Sequence, residues 1–144
     1  MARGALAEHR VRYRLLVASL RGATLSDIGQ GVEDATPVGP FTVIRKARFY
    51  DGLERSVEVD LYAVHEEDDG TDLMIEVKDW EGEPPLDAVG GFVNVKETLR
   101  GQLSRRTVFL FYSESGLGED AAAMLDEAGV LVLDPAKLAR FEGA

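Results

Sequence analysis

Three charged residues in the middle of the chain have types and a spacing suited to metal-assisted chemistry. Glu76 and Lys78 are two residues apart in an alternating segment, so on a β-strand both side chains project from one face. Asp60 lies in the preceding alternating segment, which we expect to be the neighbouring strand of a hairpin. Strand spacing then holds the two carboxylates about 5 Å apart, beside an ammonium group. Such a group could bind a hard divalent cation, with the lysine placed to stabilise a phosphoryl oxygen or to orient an attacking water.

A simpler interpretation of the same residues is a solvated hairpin face. A cross-strand Glu–Lys pair on that face would then contribute no more than about 1 kcal/mol to stability. The elements that follow the motif favour the first interpretation, because a chance hairpin has no reason to be followed by a regular alternation of strand and helix.

The segments around the motif predict the strands that must position it. We expect strands over residues 41–50, 56–64 and 73–78, with a turn at Asp51-Gly52 and a hairpin loop over residues 66–70. Alternation in the second strand predicts one apolar face and one polar face. The apolar face would hold Val57, Val59, Leu61 and Ala63, and the polar face Glu58, Asp60 and Tyr62.

The remaining segments predict helices and a parallel half of the sheet. Helical spacing favours helices over residues 2–20, 86–99, 119–128 and 136–141, with a short helical turn near residues 25–28. Continuous apolar runs predict strands over residues 107–112 and 130–133. The order indicates a single α/β domain over residues 1–144, in which a three-strand antiparallel meander continues into a βαβ half, with helices on both faces of a mixed sheet.

Taken together, these residues resemble the PD-(D/E)XK nuclease superfamily. Asp60, a hairpin and then Glu76-Val77-Lys78 are similar to its catalytic signature, and Ile75-Glu76-Val77-Lys78-Asp79-Trp80 is similar to the Mrr-like and Holliday-junction-resolvase-like branches. Gly4-x-x-x-Glu8 in the first helix is similar to a GxxxE segment of that superfamily. One departure is that Val59, rather than a proline, precedes Asp60.

The resemblance implies a restriction-endonuclease-like fold and a role for each matching residue. Asp60 and Glu76 would ligate Mg²⁺ or Mn²⁺, and the Val77 carbonyl would complete the coordination sphere. Lys78 would activate water or steady the phosphate. Glu8 would supply a further acid near the metal, although an acid at this position could instead pair with Arg12 one helical turn later.

The charge distribution bears on whether the partner is DNA. The chain has 16 Lys and Arg against 26 Asp and Glu, a formal net charge of -10, which argues against a general nucleic-acid binder. Twelve acidic residues and only Lys78 as a base lie between residues 58 and 87, whereas residues 1–21 and 96–106 are basic. The candidates for phosphate contact on the basic helices are Arg10, Arg14, Lys96 and Arg100, and ordinary surface solubility is the alternative for all four.

Composition excludes several other classes of protein. There is no cysteine and there are only two histidines, so a disulfide scaffold, a cysteine-ligated metal and an imidazole cluster are excluded. No apolar run has the length of a membrane span and no signal core is present, which predicts a cytoplasmic protein without a membrane partner. We therefore expect a metal-dependent DNA endonuclease, working alone, as a homodimer or with a partner domain or protein. The alternative is a catalytically inactive module of the same fold that binds protein or nucleic acid.

Overall fold

A computed structural model describes residues 3–50 and 55–142 of the chain. The elements in chain order are α1 (Arg3–Leu20), α2 (Leu25–Ile28), β1 (Phe41–Tyr50), β2 (Ser56–His65), β3 (Asp72–Lys78), α3 (Leu86–Leu99), β4 (Thr107–Ser113), α4 (Glu119–Glu127), β5 (Leu131–Val132) and α5 (Pro135–Leu138). Each corresponds to a predicted segment, with differences of a few residues at the ends. The turn predicted at Asp51-Gly52 lies outside the described residues.

The strands form one five-stranded mixed sheet with the order β1-β2-β3-β4-β5. β1 pairs with β2 and β2 with β3 in antiparallel orientation, whereas β3 pairs with β4 and β4 with β5 in parallel. The predicted α/β class, with a meander that continues into a parallel half, is therefore confirmed. The short parallel strands need helical crossovers, which α3 and α4 supply.

Helices cover both faces of the sheet and divide the core into two layers. One layer joins α1, α2 and α5 to one sheet face, and α1 contributes Ala7, Val11, Leu15 and Ala18 at helical spacing. The other layer joins α3 and α4 to the opposite face. β3 shows the alternation directly, because Leu73, Ile75 and Val77 face the α1 layer while Met74 faces the α3–α4 layer.

A β-bulge in β2 changes the faces that alternation predicted. Arg45 is opposite Tyr62 but Ala47 is opposite Val59, so β2 has one residue more than β1 between these pairs. Val57 and Val59 consequently pack in the α3–α4 layer, whereas Leu61 and Ala63 pack in the α1 layer. The prediction that these four residues share one face is wrong, and the bulge is the physical reason.

Individual residues mark where α4 ends and where α5 begins. Gly129 has φ 71°, directly after the end of α4, as expected of a glycine that stops a helix. Asp134 caps α5 by accepting hydrogen bonds from the backbone N–H groups of Ala136 and Lys137. Across residues 3–50 and 55–142, no helix has the length and apolar character that a membrane span requires.

Candidate active site

The candidate site begins where β2 and β3 stop pairing. The last residue pair of their ladder is Leu61 with Ile75, while β3 continues to pair with β4 as far as Lys78. We call this point the fork. At the fork, Asp60 Oδ2 accepts a hydrogen bond of 2.9 Å from the backbone N–H of Val77. The Asp60 side chain thus accepts the hydrogen bond that a backbone carbonyl of β2 would accept in a continuing ladder. This bond holds the carboxylate against β3.

Glu76 shares the fork with Asp60. Its side chain is partly buried, and burial, followed by a hydrogen bond with Asp60 and the Asp60 charge, raises the pKa of Glu76 to about 9. The Lys78 ammonium acts in the opposite direction, and the Glu8 charge adds to the rise. The raised pKa of Glu76 favours its protonated form near neutral pH, because a second anion beside the Asp60 carboxylate in a partly buried site is repelled.

Glu8 reaches the same site from α1. Its Oε1 is buried and has no hydrogen-bond partner in the described structure, and burial and the Asp60 charge raise the Glu8 pKa. The nearest cation is not Arg12 but Lys46 on β1, whose Nζ lies 3.5 Å from Glu8 Oε1. The structure therefore places Glu8 beside Asp60.

Lys46 is a residue of this site that sequence analysis missed. Its Nζ also lies 3.4 Å from Glu58 Oε1, so the ammonium sits between two carboxylates. The pKa of Lys46 is raised, chiefly by the Glu8 charge. Lys46 lies in β1 opposite the bulged residues of β2, and this position brings it to the site. The position can be recognised only when the register between β1 and β2 is known.

Lys78 is the last residue of β3 and is partly buried. Its backbone carbonyl accepts a hydrogen bond of 3.0 Å from the backbone N–H of Glu114, and this bond holds the end of the strand in place. Its ammonium has no ion pair with any carboxylate of the described residues within 4.0 Å, although its charge acts on Glu76. The structure thus brings Asp60, Glu76 and Lys78 together at one end of the sheet.

The chemistry of these donors can be compared with the needs of a divalent cation. Mg²⁺ and Mn²⁺ prefer oxygen ligands, and carboxylates are their usual protein ligands. In residues 3–50 and 55–142, no set of three or more His, Cys, Asp or Glu side chains is already arranged to hold a metal ion. What the site does have is a Glu76 carboxyl group whose pKa is raised by burial and by Asp60, and a buried Glu8 Oε1 that accepts no hydrogen bond from the described residues and lies 3.5 Å from Lys46 Nζ. The chemistry of these carboxylate oxygens fits a hard cation, and Asp60 and Glu76 are the residues that could hold one.

Two of the four residues predicted to contact phosphate, Arg10 and Arg14, lie on the side of α1 that faces away from Glu8. Arg14 is buried, and its Nε donates a 2.9 Å hydrogen bond to Glu142 near the C-terminus. Arg10 Nη1 lies 3.6 Å from Glu114 Oε1, and Glu114 in turn binds the Tyr112 hydroxyl. The expectation that Arg14 contacts phosphate does not hold, because its guanidinium anchors the end of the chain.

The other two predicted contacts lie in the α3–α4 layer. Lys96 Nζ donates hydrogen bonds to the carbonyls of Ala128 and Gly129 at 2.6 and 3.2 Å, so it stabilises the end of α4. Arg100 is exposed and lies 3.5 Å from Glu97. Because α3 returns the chain from the Lys78 end of the sheet to the start of β4, both residues lie far from the fork. The four predicted residues therefore do not converge on one surface.

A second buried carboxylate, Asp72, lies in a hydrogen-bond network that stabilises the fold. Asp72 is fully buried and accepts hydrogen bonds from the backbone N–H of His65 at 2.8 Å and the Tyr62 hydroxyl at 3.2 Å. Arg105 Nε lies 3.3 Å from Asp72 Oδ2, and its Nη2 binds the His65 carbonyl at 2.8 Å. Burial and the Asp72 charge raise the pKa of Tyr62. One acid of the acidic segment thus closes the β2–β3 hairpin.

Comparisons with known proteins add little to this geometry. No family model matches the sequence, and no curated protein matches it. Among solved structures, the chain is similar to the crystal structure of protein VC1899 from Vibrio cholerae, with 20% identity over 67% of this chain and a TM-score of 0.47. The matched region is 24% of the VC1899 chain, so this sequence spans about a quarter of that protein.

Proposed function

We propose that this chain is a Mg²⁺- or Mn²⁺-dependent nuclease of the PD-(D/E)XK superfamily, with a restriction-endonuclease-like fold, that hydrolyses phosphodiester bonds in DNA. The observation that carries the proposal is the fork, where the Asp60 carboxylate is bonded to the backbone N–H of Val77, between Glu76 and Lys78 on β3. The order of the sheet, with a meander before the motif and parallel strands after it, supports the same assignment.

Each residue of the site has a part in the proposed hydrolysis. Asp60 and Glu76, with the Val77 carbonyl, are the groups that would hold the cation. When bound, such an ion lowers the pKa of a water molecule and neutralises charge on the phosphoryl oxygens. Lys78 would present its ammonium to the developing negative charge of the phosphate. Glu8 adds a third carboxylate beside Asp60, and Lys46 balances its charge.

The test is DNA cleavage by the purified protein with Mn²⁺ or Mg²⁺ on linear, supercoiled and branched DNA. We expect cleavage of at least one form, and we expect Lys78→Ala to lose it while keeping the same circular dichroism spectrum and melting temperature. Arg100→Ala is the control, since it removes one exposed positive charge from the other helical layer. Absence of cleavage of every DNA form with either ion would overturn the proposal.

The second candidate is a catalytically inactive module of the same fold. The observation that favours it is the ion pair already present at the site, where Lys46 Nζ lies 3.5 Å from Glu8 Oε1, together with the raised pKa of Glu76, which favours a neutral carboxyl group. Calorimetric titration with Mn²⁺ separates the two candidates. Heat that disappears in Asp60→Asn and Glu76→Gln supports the metal enzyme, and equal heats in all three proteins support the inactive module.

A further inference from the structure

A cleft of about 260 Å³ lies between α1 and β1, next to the fork. The acids Glu8 and Asp60 form one part of its lining, and the bases Arg12, Arg45 and Lys46 form another. Arg12 is one helical turn after Glu8 on α1, while Lys46 comes from the facing strand. The cleft thus combines the acids proposed to bind metal with positive charge from two different elements.

The fold engages Arg12 and Lys46 to different degrees. Arg12 has neither an ion pair nor a side-chain hydrogen bond with any of the described residues, unlike Arg10 and Arg14 on the same helix. Lys46 Nζ lies 3.5 Å from Glu8 Oε1 and 3.4 Å from Glu58 Oε1, so its ammonium is already engaged with two carboxylates at the edge of the cleft. A guanidinium has five N–H donors, so Arg12 offers the cleft donors that none of the described residues accepts, and the Lys46 ammonium adds a positive charge beside it.

We propose that this cleft binds a backbone phosphate of the DNA strand next to the phosphodiester bond that is cut, with Arg12 and Lys46 as the donors. The inference rests on the proposed function, since it places the substrate strand relative to the proposed metal site. Arginine and lysine are the side chains that bind phosphate oxygens, and contacts of this kind fix the position of a strand without reading its sequence. The cleft is below the range of about 300–1,000 Å³ typical of sites for drug-sized ligands, which suits one phosphate and its sugar.

The position of Lys46 gives it opposite effects on two ligands. Beside Glu8, its charge repels a divalent cation, whereas it attracts a phosphate. Loss of the Lys46 charge is therefore expected to weaken DNA binding and to strengthen Mn²⁺ binding. A residue that only maintained the fold would weaken both.

The experiment is a fluorescence polarisation titration of a labelled duplex oligonucleotide with Mg²⁺ present, in a Lys78→Ala parent that prevents cleavage. Arg12→Ala and Lys46→Met are expected to lower the affinity several-fold, and each is expected to reduce the slope of log affinity against log salt by about 1. The double variant should reduce the slope by about 2. Arg100→Ala should leave both the affinity and the slope unchanged. Circular dichroism and melting temperatures establish that each variant folds.

The outcomes also separate this inference from the proposed nuclease activity. Loss of binding in Arg12→Ala and Lys46→Met, with unchanged or stronger Mn²⁺ binding in Lys46→Met, supports the cleft even if the wild-type protein cuts no DNA. A double variant that binds DNA as tightly as the parent overturns it, even if the wild-type protein is an active nuclease. A parent that binds no duplex at low salt also overturns it.

Discussion

The Asp60 carboxylate accepts a hydrogen bond from the backbone N–H of Val77 across the fork, at 2.9 Å. This bond ties a carboxylate of the proposed metal site to the backbone of the sheet. The bulge in β2 turns Asp60 toward the α1 side of the sheet, and the bond to β3 then fixes the carboxylate beside Glu76. Asp60 consequently has two roles. Its carboxylate accepts the hydrogen bond at the end of the β2–β3 ladder, and it supplies a negative charge to the site. Mutations can separate these two roles.

Asp60→Asn and Asp60→Ala are expected to differ in stability although both remove the same charge. Asparagine keeps an oxygen that can accept the Val77 N–H, whereas alanine leaves this donor without a partner. We expect the alanine variant to be less stable than the asparagine variant by about 1–3 kcal/mol. Urea unfolding monitored by circular dichroism measures the difference. Equal unfolding midpoints would show that the hydrogen bond across the fork contributes nothing to stability.

Metal binding at the fork is expected to release a proton. The Glu76 pKa of about 9 means that the carboxyl group is protonated in the free protein near neutral pH, and a carboxylate must lose its proton to ligate a cation. Titration calorimetry with Mn²⁺ in two buffers of different ionisation enthalpy should give about one proton released for each ion bound. Glu76→Gln serves as the control and should release none. Tight Mn²⁺ binding with identical heats in both buffers would contradict this mechanism.

Stability without metal is expected to fall as the pH rises, and Glu76 is the main cause. The folded protein keeps the Glu76 proton up to a pKa of about 9, while the unfolded chain loses it near the ordinary value of 4.5. Between these values the folded state binds more protons, so the free energy of unfolding decreases with rising pH. Glu76→Gln should therefore gain stability relative to the wild type as the pH rises from 5 toward 9. A difference in urea midpoint that does not change with pH would show that Glu76 is ionised in the folded protein.

Short-range patterns in the sequence predicted the elements and much of the site. Period-2 alternation located β1, β2 and β3, and helical spacing located α1 and α3, because burial on one face constrains residue types within a few positions. The spacing of Glu76 and Lys78 on one strand brought both residues to the fork, and the topology brought Asp60 beside them. These relationships depend only on local geometry and on the order of the elements.

The remaining features depend on contacts that no local pattern encodes. The bulge at Asp60 is a property of the register between β1 and β2, and it decides which face each β2 residue occupies. The partner of Arg14 is Glu142, 128 residues away, so nothing near Arg14 in the sequence shows that it is buried. Lys46 and Arg12 meet at one cleft only when α1 lies across the sheet. The basic residues that face the candidate site were accordingly different from those that charge clustering suggested.

Asp72→Ala is expected to destabilise the protein strongly without affecting the fork. The substitution removes the acceptor of the His65 N–H and the Tyr62 hydroxyl and leaves Arg105 without its buried counter-ion. Removing one partner of such a network costs about 3 kcal/mol. Asp68→Ala is a matched control, because Asp68 also lies near Arg105, at 3.8 Å, but is fully exposed and should leave stability unchanged. Urea unfolding of the two variants, with Mn²⁺ calorimetry on the folded fraction, makes the comparison, and equal midpoints for Asp72→Ala and Asp68→Ala would show that the buried network does not hold the hairpin.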